Sequence, residues 1–205
     1  MKLGDLSAQY ESNGDPGCIS TGYGDSGGIS YGAYQFASNT GTVQNFIDWL
    51  KNQNHPYGNI LSNAGEPGNR EFSCAWKYLA EEDSNSFLQL QHDFIKEKYF
   101  DVAVEKLKEI GIDILSRSEA LQQVVWSRAV QHGVYWITSL FQEAAQLANK
   151  NLTDMTDKEL IYYIYEVELT DPDWTSGSPS LREGLFNRFR NEREQALSML
   201  EAEGA

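Results

Sequence analysis

The sequence predicts a mainly α-helical protein, α+β by class, with one small β element placed early. Three observations carry that reading. Apolar residues recur at helical intervals from Thr42 onward. Three S/T-x-x-E sequences mark helix starts further along. And residues 11–36, "ESNGDPGCISTGYGDSGGISYGAYQF", hold seven glycines in a stretch where helical periodicity is interrupted. At 205 residues the chain is one large domain or two small lobes, and 40% hydrophobic with 12% aromatic residues is ordinary for a folded protein.

Taken in order, Leu3, Leu6 and Tyr10 lie at helical spacing and place Glu11 at a helix end, where "SNGDPG" stops the helix. The glycine-rich stretch that follows reads as a turn-rich hairpin or ribbon. Val43, Phe46, Ile47 and Leu50 form one apolar face of a helix that "HPYGN" ends. A loop around "SNAGEPGN" precedes a short helix near "CAWKYLA", and Phe87, Leu90, Phe94 and Ile95 mark a longer one. Capping boxes pair Ser116 with Glu119, Thr156 with Glu159 and Ser180 with Glu183, predicting helices from about 117, 157 and 181. "DPDWTSGSPS" reads as a loop, and no internal repeat, heptad run or low-complexity tract is present.

Thirty acidic against sixteen basic residues give a net charge of -14, which repels phosphate backbones and argues against nucleic acid as a partner. Twelve acids against five bases follow residue 150, so the charge reads first as solubility and second as attraction for a cationic sugar. Cys18 and Cys74 are the two cysteines, with free thiols as the default. His55, His92 and His132 stand in no HExxH or CxxC frame, so no metal is expected. No apolar run approaches a bilayer span and no leader resembles a signal peptide, so synthesis in the cytoplasm with no membrane partner is expected.

The chemistry is sought in the glycine-rich stretch. Cleaving a glycosidic bond takes one carboxyl group to protonate the leaving oxygen and a second carboxylate on the other face. Glu11, close in sequence to Leu6 and Tyr10, has a setting that would keep a carboxyl protonated, and Asp25 lies in a polar loop that suits an ionised base. On the residues alone, two surface acids remain the more economical account. The glycines would let the backbone approach a ligand closely. Gly22, Gly24 and Gly27 spell GxGxxG, but no βαβ unit surrounds them, and no phosphate-binding loop is present.

Glu11 at the end of the first helix, followed by "DSGGISYGAYQFASNTG" from Asp25 to Gly41, resembles the active-site signature of the lysozyme superfamily, in its chitosanase-like branch. Asp25, Gly28, Ser30, Gly32, Phe36, Thr40 and Gly41 fall on that branch's pattern. With "YES-G-PG", "GG-SYGAYQF" and the later "VVWSRAVQHG", the chain is similar to the peptidoglycan-hydrolase domains of secretion-spike (VgrG-type) proteins and of phage lysis or tail proteins. The resemblance covers most of the chain, the first third being the most specific part. It implies a two-lobed lysozyme-like catalytic domain over residues 1–205, with an active-site segment 11–41, a helical remainder 42–205 and a hairpin at the cleft. It also implies Glu11 as general acid, Asp25 as the base activating water, and Ser30, in place of a threonine, helping to hold that water. The branch inverts at the anomeric carbon, with carboxyls roughly 6.5 Å or more apart. The fourteen-residue step from Glu11 to Asp25 is shorter than in chitosanases, which argues against chitosan as substrate, and the spike-protein resemblance implies bacterial peptidoglycan instead.

Tyr31, Tyr34 and Gln35 are candidate sugar contacts, with strand packing the competing role for Tyr34 and the stronger one for Phe36. Gln131 and His132 are candidates to face substrate, although a histidine at a helix C-terminus is favoured by the helix dipole in any case. Arg128 either pairs with a carboxylate near the site or covers surface. Trp126 and Trp136 read as core, and Arg188 with Glu192 as a surface ion pair.

The expectation is a muramidase that needs no cofactor, acts on the glycan strands of the cell wall after release or injection, and whose ending "SMLEAEGA" leaves room for a separate wall-binding or delivery domain. Chitosanase and lytic transglycosylase share the scaffold. A transglycosylase needs one carboxyl group, which Asp25 in register argues against. A non-catalytic spike or tail module is the alternative outside enzymes.

Overall fold

The computed structural model describes residues 2–7, 14–20, 28–175 and 182–204. It is mainly helical with one two-stranded antiparallel hairpin, as the sequence predicts. By contacts the chain divides into two compact units, residues 8–95 and residues 1–7 with 96–205.

The first unit holds the hairpin. Strand β1 (Ser30–Tyr31) pairs with β2 (Phe36–Ala37), Ser30 opposite Ala37 and Tyr31 opposite Phe36. The segment before β1 extends the sheet by a bridge from Ile19 to Tyr31: Ser20 N–H donates to the Ser30 carbonyl at 2.9 Å and Gly32 N–H to the Cys18 carbonyl at 2.7 Å. Gly32, at φ +79°, turns the chain where an added Cβ would lie 2.8 Å from Gln91 Cδ and 2.9 Å from Trp76 Cζ2, so only glycine fits. Four helices follow: α1 (Thr42–Asn52), α2 (Pro56–Asn63), α3 (Arg70–Glu82) and α4 (Ser84–Ile95). They enclose an aromatic core in which Phe46 meets Phe36, Trp49, Trp76, Phe87 and Phe94 with ring centroids 5.1–6.2 Å apart.

"HPYGN" does not simply end a helix. His55 caps a new one, its Nδ1 accepting from Tyr57 N–H at 3.3 Å, with Pro56 at the first helical position, where its missing N–H costs nothing. The helix around "CAWKYLA" is also longer than a short segment, running thirteen residues.

The second unit begins with residues 2–7, helical at 5–7. A π-helical turn (Lys96–Phe100) leads into α5 (Asp101–Glu109), α6 (Glu119–His132), α7 (Ile137–Ala148), α8 (Asp157–Thr170) and α9 (Arg182–Glu203). Helix α6 is buried nearly all round and packs against α5, α7, α8 and α9. It starts two residues later than the Ser116 box predicts. Ser118 is its cap, accepting from Leu121 N–H at 3.2 Å, whereas Ser116 closes a short 3₁₀ turn (Ile114–Ser116). Glu203 at the end of α9 also accepts from the N–H groups of Glu119 and Ala120, satisfying two donors the helix cannot use itself. The Thr156–Glu159 box is present in full at the start of α8, while the Ser180 box falls outside the described residues. Among the described residues no helix is long and apolar enough to cross a membrane.

Trp126 is core, as expected, but Trp136 is 60% exposed. It lies between the end of α6 and the start of α7, at the position that caps α7.

Candidate functional site

Glu11 and Asp25 lie outside the described residues; what the structure describes is how the chain on either side is held. In the second unit, Gln123 of α6 accepts from Gly4 N–H at 2.9 Å and donates to the Lys2 carbonyl at 2.7 Å. Gly4, at φ +93°, lies against the Trp126 ring with no room for a side chain. The residues that lead toward Glu11 are thus fixed on a buried helix, with Leu6 and Ser7 fully buried.

In the first unit, the carbonyl of Pro16 accepts from both Trp76 Nε1 at 2.8 Å and Gln91 Nε2 at 3.0 Å. Gln91, fully buried on α4, uses its Oε1 to accept from Ala33 N–H at 2.8 Å. One side chain therefore ties together the segment after Glu11 and the turn of the hairpin after Asp25.

Ser30 is buried on β1, with its N–H donating to Ser20 Oγ at 2.8 Å. Backbone pairs on both sides hold it in place. Tyr31 has no exposed surface: its ring packs on Phe72 and Trp76, and its hydroxyl lies 2.8 Å from Ser73 Oγ while accepting from Gly68 N–H at 3.0 Å. That environment makes it a core and loop-anchoring residue. Tyr34 is also buried, near His92 and stacked on Phe36. Gln35 is partly exposed at φ +49° with Nε2 donating to the Gly32 carbonyl at 2.9 Å, so it closes the hairpin turn.

The candidates on α6 belong to a second cluster, wholly within the second unit. Arg128 has no exposed side-chain surface. Its Nη1 donates to both Glu168 oxygens at 2.8 and 2.7 Å, its Nη2 pairs with Glu192, and its guanidinium lies between the Tyr165 and Phe189 rings at 4.9 and 4.8 Å. Burial alone would lower its pKa, but the two carboxylates outweigh that and hold it above the ordinary arginine value. Burial likewise pushes the Glu192 carboxyl up, and Arg128 and Arg188 overcome it and bring it below the usual range. Arg188, part-buried, and Glu192, fully buried, accordingly belong to this network and are not a surface pair. The cause is the fold: α9 turns Glu192 inward onto α6, which four-residue spacing cannot reveal.

His132, one turn beyond Arg128, is bonded through Nε2 to Glu168. With Gln131 it lines a cavity of about 570 Å³ whose other walls include Trp136, Glu143, Asp171, Asp173 and Trp174. The structure thus brings Gln131 and His132 to one cavity and leaves Arg128 behind it. Trp174, Glu143 and Glu168 are the residues sequence reasoning missed. A tryptophan directly after two acids in the loop "DPDWTSGSPS" is the signal that could have found the first.

A family model for type VI secretion system spike protein VgrG3-like, C-terminal, matches residues 3–193. The chain belongs to the VgrG3-like C-terminal family. Within it, the chain is 35% identical over 204 residues to the type VI secretion system spike protein VgrG3 of Vibrio cholerae, a match that covers 98% of this chain and 19% of that relative. The VgrG3-like region therefore corresponds to about a fifth of the relative's length.

Proposed function

We propose that this VgrG3-like domain hydrolyses the glycan strand of bacterial peptidoglycan as a muramidase. Glu11 protonates the glycosidic oxygen, Asp25 takes a proton from the attacking water, and Ser30 orients that water through its hydroxyl. Attack from the face opposite the leaving group inverts the anomeric carbon, which requires the two carboxyls to stand roughly 6.5–9.5 Å apart. The scheme needs no cofactor. The observation that carries the reading is the Glu11…Asp25…Ser30 signature in a chain that belongs to a secretion-spike family. Support comes also from Ser30, which sits on a strand tied by backbone bonds on both sides, a placement suited to holding a water. In the cell the domain is delivered as part of a longer spike, which puts it at the wall of a target bacterium.

The test is mass spectrometry of soluble products released from purified peptidoglycan by the wild type, Glu11→Gln and Asp25→Asn. Reducing muramic acid ends are expected from the wild type, with each variant slowed by about 10²–10⁴-fold, the ordinary contribution of a general acid or base. Anhydro ends that survive in Asp25→Asn would make the enzyme a lytic transglycosylase. Cleavage of chitosan with the wall left intact would replace the substrate.

A further inference from the structure

The cavity at the end of α6 has a chemistry that glycosidic hydrolysis does not call for. Three carboxylic side chains, Glu143, Asp171 and Asp173, line it, and its described lining residues include no lysine or arginine. Arg182, whose Nε donates to Thr175 Oγ1 at 3.1 Å, is a cation next to this lining. The wall is aromatic, with the Trp136 side chain left largely to water.

That wall is also pinned from behind. Glu168, itself locked by Arg128, holds the His132 ring. The His132 ring meets Trp174 edge-on at 5.0 Å, and Trp174 meets Trp136 edge-on at 6.4 Å. Trp174 Nε1 donates to Glu143 Oε2 at 2.8 Å, which fixes the indole and places one carboxylate at its edge. Indole faces attract an ammonium through the ring quadrupole, and carboxylates accept charge-assisted hydrogen bonds from it. A rigid aromatic wall with an acidic rim recognises a primary amine carried on a polar polymer better than it recognises a neutral sugar.

We propose that this cavity binds a free primary ammonium group of the cell-wall polymer, on the diamino acid of a stem peptide or on a glucosamine unit lacking its acetyl group. The inference rests on the wall as substrate and adds the chemical group that selects among walls.

Binding is measured by calorimetry on the full chain carrying Glu11→Gln, with two pairs of probes. One pair is a lysine-containing stem tetrapeptide with its ε-amine free or acetylated; the other is a tetramer of glucosamine or of N-acetylglucosamine. In at least one pair, acetylation is expected to weaken binding by about tenfold or more, and the pair that responds identifies the source of the amine. Adding Glu143→Gln, which keeps an acceptor for Trp174 but removes the charge, or Trp136→Ala, at an exposed site, is expected to weaken the responsive probe by a similar factor with an unchanged thermal melt. Equal binding of both members of each pair, binding by neither pair, or full affinity in both variants would overturn the proposal. Wall digestion by the wild-type chain is scored separately. Digestion without amine dependence sinks this inference alone, whereas amine-dependent binding without digestion sinks the muramidase reading and leaves the site.

Discussion

A guanidinium with no exposed surface needs partners for its donors, and Arg128 has them at both Nη atoms in Glu168, Glu192 and Ser127, with an aromatic ring near each face, while its buried Nε has none. Removing it would leave Glu168 and Glu192 buried, with Arg188 still paired to Glu192 and His132 still bonded to Glu168. Arg128→Met is therefore expected to destabilise the protein by about 3–5 kcal/mol, read as a lower urea midpoint, because breaking a buried pair strands charge away from water. A loss below about 1 kcal/mol would show that the carboxylates are reached by solvent. In the sequence Arg128 reads as pairing with a carboxylate near the site or as covering surface, and its actual partners lie forty and sixty-four residues away in α8 and α9. A residue's type announces that it needs a partner; it does not say which one.

At the scale of elements, the legible features were those whose physics is local. The Thr156–Glu159 box is closed in both directions, Glu159 N–H to Thr156 Oγ1 at 3.3 Å and Thr156 N–H to Glu159 Oε2 at 3.0 Å. Thr156→Ala is expected to lower stability by about 1 kcal/mol in chemical denaturation, while Thr156→Ser should retain most of it. Gly32→Ala is expected to cost more than about 1 kcal/mol, since a Cβ would meet Gln91 and Trp76 at a left-handed φ, and thermal melting would detect it. Helices α5 and α7 escaped the sequence reading for a physical reason. Neither has a side-chain cap at its start, so no capping sequence announces them, and only apolar spacing such as Ile137, Leu140, Phe141 and Ala144 marks them. Helix α2 was missed because a proline that opens a helix and one that follows a helix look alike until the chain direction after it is known.

Over the whole molecule, the shifted groups set how stability follows pH. Glu192 has a folded pKa below its ordinary 4.5, so it contributes stability above that value that is lost as pH falls through the lower folded pKa. Burial and the nearby Glu192 raise the Tyr165 phenol well above its ordinary 10.0, so its contribution is present below that value and is lost as pH rises through the higher folded pKa. The melting temperature is expected to hold between these limits and fall on both sides. In Glu192→Gln the acid-side fall should be shallower; an identical acid limb in both proteins would remove Glu192 from the account.

Legible in the sequence were the helical class, the early hairpin, the apolar faces of α1 and α4, and the Glu11, Asp25 and Ser30 signature, because apolar periodicity, caps and short motifs act over a few residues. It also carried the family resemblance that the comparison later bore out for the secretion spike. Tertiary structure decided that Tyr31 is enclosed, that Trp136 is largely exposed, that Glu192 is interior with a part-buried Arg188 on it, and that Gln131 and His132 share a cavity with Trp174. Each of those depends on which helix covers which face, and burial is a property of contacts between residues far apart in the chain.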